Sequence, residues 1–213
     1  MKPDLSPLWT KICLEDDVKA FEALYYLLFN RLIKFCIYYI GKKEVAEEIV
    51  SDILVKCWEN RKSETVILNL ETYLFTAVRN QSLKYIKKNS HFHLVEIEPS
   101  NEFQFMHHAN PEKELENKEL HYKLDQAIAK LPQQARIIFK LIKENGMKYK
   151  EVAEILEISP RTVQTQLFRA IDKLRISLKT YHHIYTKNIK SDNTLKLIVL
   201  IFFYIFFNSC KQF

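Results

Sequence analysis

Only two of the 213 residues are glycine, Gly41 and Gly146, and this scarcity restricts what the chain can form. A dinucleotide-binding fingerprint needs three closely spaced glycines, and a phosphate-binding P-loop needs two that lie five residues apart. Both nucleotide-binding motifs are therefore excluded. Hairpin turns also depend on glycine for positive φ angles, so a sheet built from many hairpins is disfavoured. The sequence predicts long helices joined by few turns.

The charge of the chain is basic and unevenly distributed. The formal net charge is +6 and the isoelectric point is about 9.0, which favours a polyanion or a membrane surface as partner. Two basic segments, 69–88 and 160–190, flank an acidic segment at 89–120. Because each basic segment falls on a predicted helix, nucleic acid is favoured over chance clustering on solvated faces.

Apolar residues recur at helical spacing in three segments before residue 90, which predicts helices at 16–40, 43–60 and 70–88. Gly41 stands where the end of the first helix favours a left-handed residue. The third helix is apolar in its first half and basic in its second half. Periodicity fades between Asn89 and Asn110, so this acidic stretch is the predicted linker.

Four further helices are predicted after the linker. The first begins at Asn110 and Pro111 and ends before Leu131, and the others cover about 133–144, 148–156 and 160–179. Ser159 is the predicted N-cap of the last helix, whose inward stripe comprises Val163, Leu167, Ala170, Ile171 and Leu174. The last two helices form a helix-turn-helix. The predicted fold class is all-α, with two small helical domains joined by a linker and the helix-turn-helix in the second.

The second helix of such a motif reads DNA with residues near its N-terminus. Arginine pairs with guanine edges, glutamine with adenine, and threonine with base edges or phosphate. Lys173 and Arg175, further along, are placed to meet phosphate. A helical hairpin with a solvated outer face is the alternative that this pattern leaves open.

These residues resemble the extracytoplasmic-function group of RNA polymerase sigma factors, within the sigma-70 family. Leu131-Pro132 together with GMKYKEVAEILEISPRTVQTQLFRAIDKLR (Gly146–Arg175) is similar to sigma domain four. Ala20–Arg61 is similar to the helices that bind core polymerase, and Asn69–Lys88 resembles the helix that opens and reads the minus-ten promoter element. The resemblance implies domain two at 1–90, a linker at 91–110, domain four at 111–182, and a basic stretch with an apolar tail at 183–213.

The resemblance also assigns roles by position. Core polymerase binding falls on Glu47, Glu48, Asp52 and Trp58, although Trp58 fits core packing equally well. Contact with the melted minus-ten strand falls on Arg79, Asn80, Lys84, Tyr85, Lys87 and Lys88; cations track such a strand and aromatic groups hold unstacked bases. Contact with the minus-thirty-five element falls on Arg161, Thr162, Gln164, Thr165, Arg169 and Lys173.

The chain departs from the family pattern at four positions. Lys84 stands where aspartate is usual, Ser51 replaces a frequent glutamine, and Phe168 occupies a position that is usually polar. Glu157 occupies a turn position that is commonly glycine, so this turn must accommodate a side chain. These departures bear on individual base preferences rather than on the family.

The function implied is a promoter-recognition subunit that directs core RNA polymerase to specific promoters and helps to melt them. The expected partners are core RNA polymerase, promoter DNA and an anti-sigma factor, membrane-bound as in similar systems. No enzymatic activity, cofactor or metal is expected; His91, His93, His107, His108 and His121 match no standard metal-binding spacing. The alternatives are a polymerase-independent helix-turn-helix regulator, with 16–88 as a sensing or dimerisation domain, and a membrane-associated helical adaptor.

An apolar run, Leu197–Phe207, lies near the C-terminus. The uncharged stretch Leu197–Cys210 would span about 21 Å as a helix, which is short of a bilayer core of about 30 Å. Lys187, Lys190 and Lys196 precede it and fit a cytoplasmic body with an inserted tail. Three interpretations follow: a tail anchor, a helix packed on this protein, and docking to a partner. The predicted location is the cytoplasm. Of the three interpretations, we favour attachment to the inner face of the cytoplasmic membrane through residues 195–210.

Overall fold

The computed structural model describes residues 4–63, 67–89 and 124–188, with side chains as far as Ser177. Every regular element in these ranges is an α-helix, which confirms the all-α prediction. The helices are α1 (Ser6–Glu15), α2 (Val18–Ile40), α3 (Lys43–Glu59), α4 (Leu70–Asn89), α5 (helical at 124–129), α6 (Gln133–Lys143), α7 (Tyr149–Leu156) and α8 (Pro160–Asn188). The predicted linker and its histidines, the N-terminus of the helix after it, and the apolar tail lie outside the described residues.

The chain divides into two compact units, Met1–Asp172 and Lys173–Phe213. The first contains α1 to α7 and the first part of α8. In the second, the described part is the remainder of α8, where Leu174 is buried while Arg175 and Ile176 are exposed. No helix of the described residues is both long and apolar enough to cross a membrane.

The core of the helices before residue 90 forms around α2. This helix contacts α1, α3 and α4, and its inward stripe includes the completely buried Leu24, Leu28 and Leu32. The rings of Phe35 on α2 and Phe75 on α4 lie 5.1 Å apart at the centre of this core. Full burial of each such side chain contributes about 1.5–3 kcal/mol. Burial of this stripe is what the spacing of apolar residues predicts.

The start of the chain differs from the prediction. The helix predicted at 16–40 is α2, which begins at Val18. An additional helix that was not predicted, α1, precedes it and ends at Glu15. Asp17 separates them as the N-cap of α2, and its carboxylate accepts hydrogen bonds from the backbone N–H groups of Lys19 (2.9 Å) and Ala20 (3.1 Å). In α1, Ile12 alone is buried, so the segment lacks the repeated apolar stripe that predicts a helix.

Gly41 has the left-handed conformation that the sequence predicts, and Gly146 is left-handed as well. Gly41 ends α2 with a φ of 72°, and its N–H donates a 2.9 Å hydrogen bond to the Ile37 carbonyl. Gly146, in the turn between α6 and α7, has a φ of 65°. A left-handed backbone is accessible to glycine at little steric cost.

Candidate nucleic-acid interface

The helix-turn-helix is built as α7, a turn at 157–159, and α8. The predicted inward stripe of α8 is buried along its whole length, from Val163 and Leu167 to Leu174. Ser159 acts as the predicted N-cap, since its Oγ accepts a 3.0 Å hydrogen bond from the backbone N–H of Thr162. One side of α8 is therefore held against the core by its apolar stripe, and its start is capped by Ser159. The opposite side of the helix faces solvent.

The predicted DNA-reading residues of α8 lie on that solvent side. Arg161, Thr165 and Arg169 are exposed, while Thr162 and Gln164 are half-buried. The Thr165 hydroxyl donates a 2.9 Å hydrogen bond to the Arg161 carbonyl, which is one turn earlier. Phe168, which directly precedes Arg169 in the sequence, is 45% exposed, so the solvent side of α8 also carries an apolar ring. Lys173, the first residue of the second unit, is also exposed.

The predicted minus-ten residues occupy the second half of α4. Asn80, Lys84, Lys87 and Lys88 are exposed, and Tyr85 is half-buried. On the opposite side of this half of α4, Ser82 is buried, and its hydroxyl donates a 2.7 Å hydrogen bond to the Val78 carbonyl. Three lysines on a fixed helix form a cationic surface suited to a nucleic-acid backbone.

Arg79 differs from the other minus-ten candidates because it is already engaged. Its side chain is only 14% exposed, and Nη1 lies 2.7 Å from Glu157 Oε1 in the helix-turn-helix. Nη1 also donates a 3.1 Å hydrogen bond to Asn80 Oδ1.

Burial raises the pKa of the neighbouring Tyr39 to about 12, although the Arg79 guanidinium partly opposes that shift. Tyr39 is therefore a neutral phenol at physiological pH.

Glu157 has a left-handed backbone with a φ of 55°. The sequence places Glu157 where glycine is common, and the structure confirms that the turn accommodates a side chain there. For a non-glycine residue this conformation costs about 1–2 kcal/mol. The backbone N–H of Glu157 donates a 3.3 Å hydrogen bond to the Glu154 carbonyl, and α7 ends at this turn.

The predicted polymerase-binding residues lie on α3. Glu48 and Asp52 are exposed, and Glu47 forms a 3.8 Å ion pair with Lys43. Trp58 is half-buried: its ring packs 5.0 Å from that of Phe21, and the Arg61 guanidinium lies 4.0 Å from its ring centroid. The three carboxylates therefore form an acidic face, whereas the half-buried Trp58 packs against Phe21 and Arg61.

Two polar clusters were not found from the sequence. In the first, Asp16 accepts a 2.7 Å bond from Arg61 Nε and a 2.5 Å bond from Lys62 Nζ, and these hydrogen bonds lower the pKa of Asp16. In the second, Arg31 pairs with the buried Glu71 and donates a 2.9 Å hydrogen bond to Asn145 Oδ1. Arg31 and Glu71 are 40 residues apart, so no local pattern indicates that they meet.

No group of three or more histidine, cysteine or acidic side chains suited to a metal ion occurs within the described ranges. Cys13, Cys36 and Cys57 are free thiols. Burial raises the pKa of the Cys57 thiol to about 12. Cys57 is therefore a protonated, apolar-like core residue at neutral pH.

Comparison with known proteins matches two segments of the chain to family models. Residues 24–92 match "Sigma-70 region 2", and residues 121–174 match "Sigma-70, region 4". Together these segments include more than half of the 213 residues. The first contains α3 and α4, and the second contains the helix-turn-helix.

Individual proteins give the same result. The chain is 23% identical over 170 residues to the ECF RNA polymerase sigma factor SigW of Bacillus subtilis (strain 168), covering 76% of this chain and 91% of SigW. It is 26% identical to the sigma factor RpoE of Bartonella quintana, solved with the anti-sigma factor NepR, at a TM-score of 0.56 over 76% of this chain and 98% of RpoE. CnrH, solved with the cytosolic domain of CnrY, shares the fold at 18% identity and a TM-score of 0.52, over 83% of this chain and 99% of CnrH. The chain thus belongs to the sigma-70 family of RNA polymerase sigma factors, in its extracytoplasmic-function group.

Proposed function

We propose that this sigma factor divides promoter recognition between two cationic helix surfaces. The exposed side of α8, with Arg161, Thr165 and Arg169, reads the minus-thirty-five element in the major groove. The second half of α4, with Asn80, Lys84 and Tyr85, holds the melted minus-ten strand. The observation that carries the proposal is that each surface is an exposed, charged side of a helix whose other side is buried. A sigma factor is a non-enzymatic subunit, so binding energy alone accounts for its action.

The first surface has the chemistry for sequence discrimination. An arginine that makes two hydrogen bonds to one guanine contributes about 1–3 kcal/mol of discrimination against the wrong base. Thr162 and Gln164 add shorter groups near the N-terminus of α8. Lys173 is placed to meet phosphate, which strengthens binding without reading sequence.

The second surface has the chemistry for a single strand. Lys84, Lys87 and Lys88 supply positive charge along the second half of α4, and Tyr85 supplies an aromatic face. Stacking of one base on an aromatic ring is worth about 1–3 kcal/mol, and it is available only when the duplex has opened. Such contacts therefore favour the melted state over the duplex.

Contact with core RNA polymerase is assigned to the acidic face of α3, formed by Glu47, Glu48 and Asp52. The exposure of Glu48 and Asp52 supports this role, since carboxylates that stay in solvent are available to a basic partner surface. Trp58, near the end of α3, contributes to this contact indirectly by packing on Phe21 of α2. An anti-sigma factor is the expected regulator, by similarity to RpoE, which was solved in such a complex.

The test is transcription in vitro with purified core polymerase on a genomic template library. We expect promoter-specific transcripts only when this protein is added, and Arg169→Ala to lower the preference for the selected minus-thirty-five sequence by about tenfold. Lys173→Ala is the matched control, because loss of a phosphate contact weakens binding equally across sequences. Absence of any specific transcript would exclude the sigma function. Sequence-specific binding by a dimer without polymerase would favour an independent regulator.

For the C-terminal tail we propose attachment of this cytoplasmic protein to the inner face of the membrane through residues 195–210. The support is the apolar run Leu197–Phe207 with lysines before it. Deletion of residues 195–213 is expected to move the protein from the membrane fraction to the soluble fraction of a lysate while leaving transcription in vitro intact. Replacement of Lys187 and Lys190 by glutamine is the control for electrostatic association. An unchanged distribution after the deletion would contradict the attachment.

A further inference from the structure

The helix-turn-helix holds part of the proposed minus-ten surface through two carboxylates. Glu157 Oε1 lies 2.7 Å from Arg79 Nη1, and Glu151 Oε1 accepts a 2.9 Å hydrogen bond from Asn69 Nδ2. Arg79 is within α4 and Asn69 directly precedes it. Of these two partners, Arg79 is one of the residues assigned above to the minus-ten strand, so Glu157 occupies a cation of the proposed minus-ten surface.

Glu157 is unusual because the turn would form more easily without its side chain. Its φ of 55° is left-handed, and Glu157 and Asp16 are the two non-glycine residues with positive φ among the described ranges. Glycine at this position would avoid the steric cost. The glutamate side chain, however, reaches the guanidinium of Arg79, whose side chain is only 14% exposed. A strained residue with such a specific contact is a candidate for a functional role.

This contact cannot persist while both promoter elements are bound. The elements named minus-ten and minus-thirty-five are about 25 base pairs apart, which is roughly 85 Å along B-form DNA at about 3.4 Å per base pair. The structure instead has Glu157, in the turn that begins the DNA-reading helix, in direct contact with Arg79. The roughly 34 residues between Asn89 and Leu124 could reach about 110 Å if extended, so the chain is long enough for separation.

We propose that Glu157 is an autoinhibitory residue that occupies Arg79 in the free protein and releases it when the two promoter elements are bound. The inference rests on the proposed function, because it takes Arg79 as a minus-ten contact. The carboxylate acts as a substitute for a DNA phosphate. The polar character of the neighbouring contacts, such as Arg31 to Asn145 and Gln133 to the Tyr38 carbonyl, suits a reversible interface. Separation is then driven by ligands that bind only the open form, which are polymerase and promoter together.

The first test measures binding of the full-length protein to a short fluorescent single strand of mixed sequence, without polymerase. Glu157→Gly removes the carboxylate and relieves the turn, so it does not threaten folding. We expect it to raise affinity about three- to tenfold, the effect of freeing one cation from a partly exposed ion pair. Glu154→Gln is the matched control, since it changes net charge equally at an exposed site on α7, three residues before Glu157, and we expect less than a twofold gain. Adding Arg79→Gln to the Glu157→Gly protein should abolish the gain.

The second test asks whether the ion pair forms in the free protein, independently of DNA. Arg79→Gln, Glu157→Gln and the double variant form a cycle in urea unfolding, and we expect a nonadditive loss of stability. Absence of coupling would overturn the proposal, as would coupling without any change in single-strand affinity. In either case, promoter-specific transcription by the wild-type protein would leave the sigma function standing. Loss of that transcription would instead overturn the proposed function itself.

Discussion

Arg31→Met is expected to lower the free energy of unfolding by about 3 kcal/mol, as measured by urea denaturation followed by circular dichroism. The Arg31 guanidinium pairs with Glu71, whose side chain is 4% exposed, and it also donates to Asn145 Oδ1. Removing it withdraws a cation from a carboxylate that is out of water, which costs far more than losing a surface pair. Because Arg31 itself is 25% exposed, we place the loss at the lower end of the range for buried pairs.

Lys43→Met is the matched control for this prediction. It removes a cation from the ion pair with Glu47, in which the two side chains are 56% and 43% exposed. A solvated pair of this kind contributes about 0.3–0.5 kcal/mol. Similar losses for the two variants, or a loss below about 1 kcal/mol for Arg31→Met, would show that the Arg31–Glu71 pair does not support the fold.

Leu167→Ala is expected to destabilise the helix-turn-helix by about 3 kcal/mol, since it deletes a side chain that is 1% exposed. The loss combines the transfer of buried methyl groups with the cavity that remains. Thermal unfolding of the full-length protein measures it. Because α8 carries the minus-thirty-five residues on its other side, the variant should also lose transcription at temperatures where the wild type is active.

The adjacent Phe168→Ala variant separates burial from size. Phenylalanine is the larger residue, but Phe168 is 45% exposed, so its truncation should cost less than about 1 kcal/mol. A greater loss for Phe168→Ala than for Leu167→Ala would mean that α8 is rotated relative to the structure. The orientation of Arg161 and Arg169 would then also be wrong.

The sequence predicted most of the helices because their apolar residues recur at the helical period. This holds for α2, with Leu24, Leu28 and Leu32, and for α8, with Val163, Leu167 and Leu174, all of which are buried. It fails for α1, in which Ile12 alone is buried and the rest of the helix gives no stripe to detect. The last helix also extends further than predicted, to Asn188 rather than about 179.

Which side chains of the candidate site are exposed could be predicted where exposure follows from a residue's position around a helix. Arg161 and Arg169 are exposed because the stripe on the opposite side of α8 is buried. Arg79 is the exception, since its position on α4 indicates a solvent-facing cation and its actual environment depends on Glu157, far along the chain. The packing of Trp58 on Phe21 is likewise a tertiary contact that the sequence left open.

By itself, the sequence determined the all-helical class, the helix-turn-helix, the family and the positive φ of Gly41, because each depends on local spacing or local sterics. Tertiary structure alone decided which charges meet: Arg31 with Glu71, Asp16 with Arg61, and Arg79 with Glu157. A pairing between residues 40 or more positions apart leaves no periodic trace in the sequence. Its existence depends on the packing of whole helices, which a residue's neighbours along the chain do not specify.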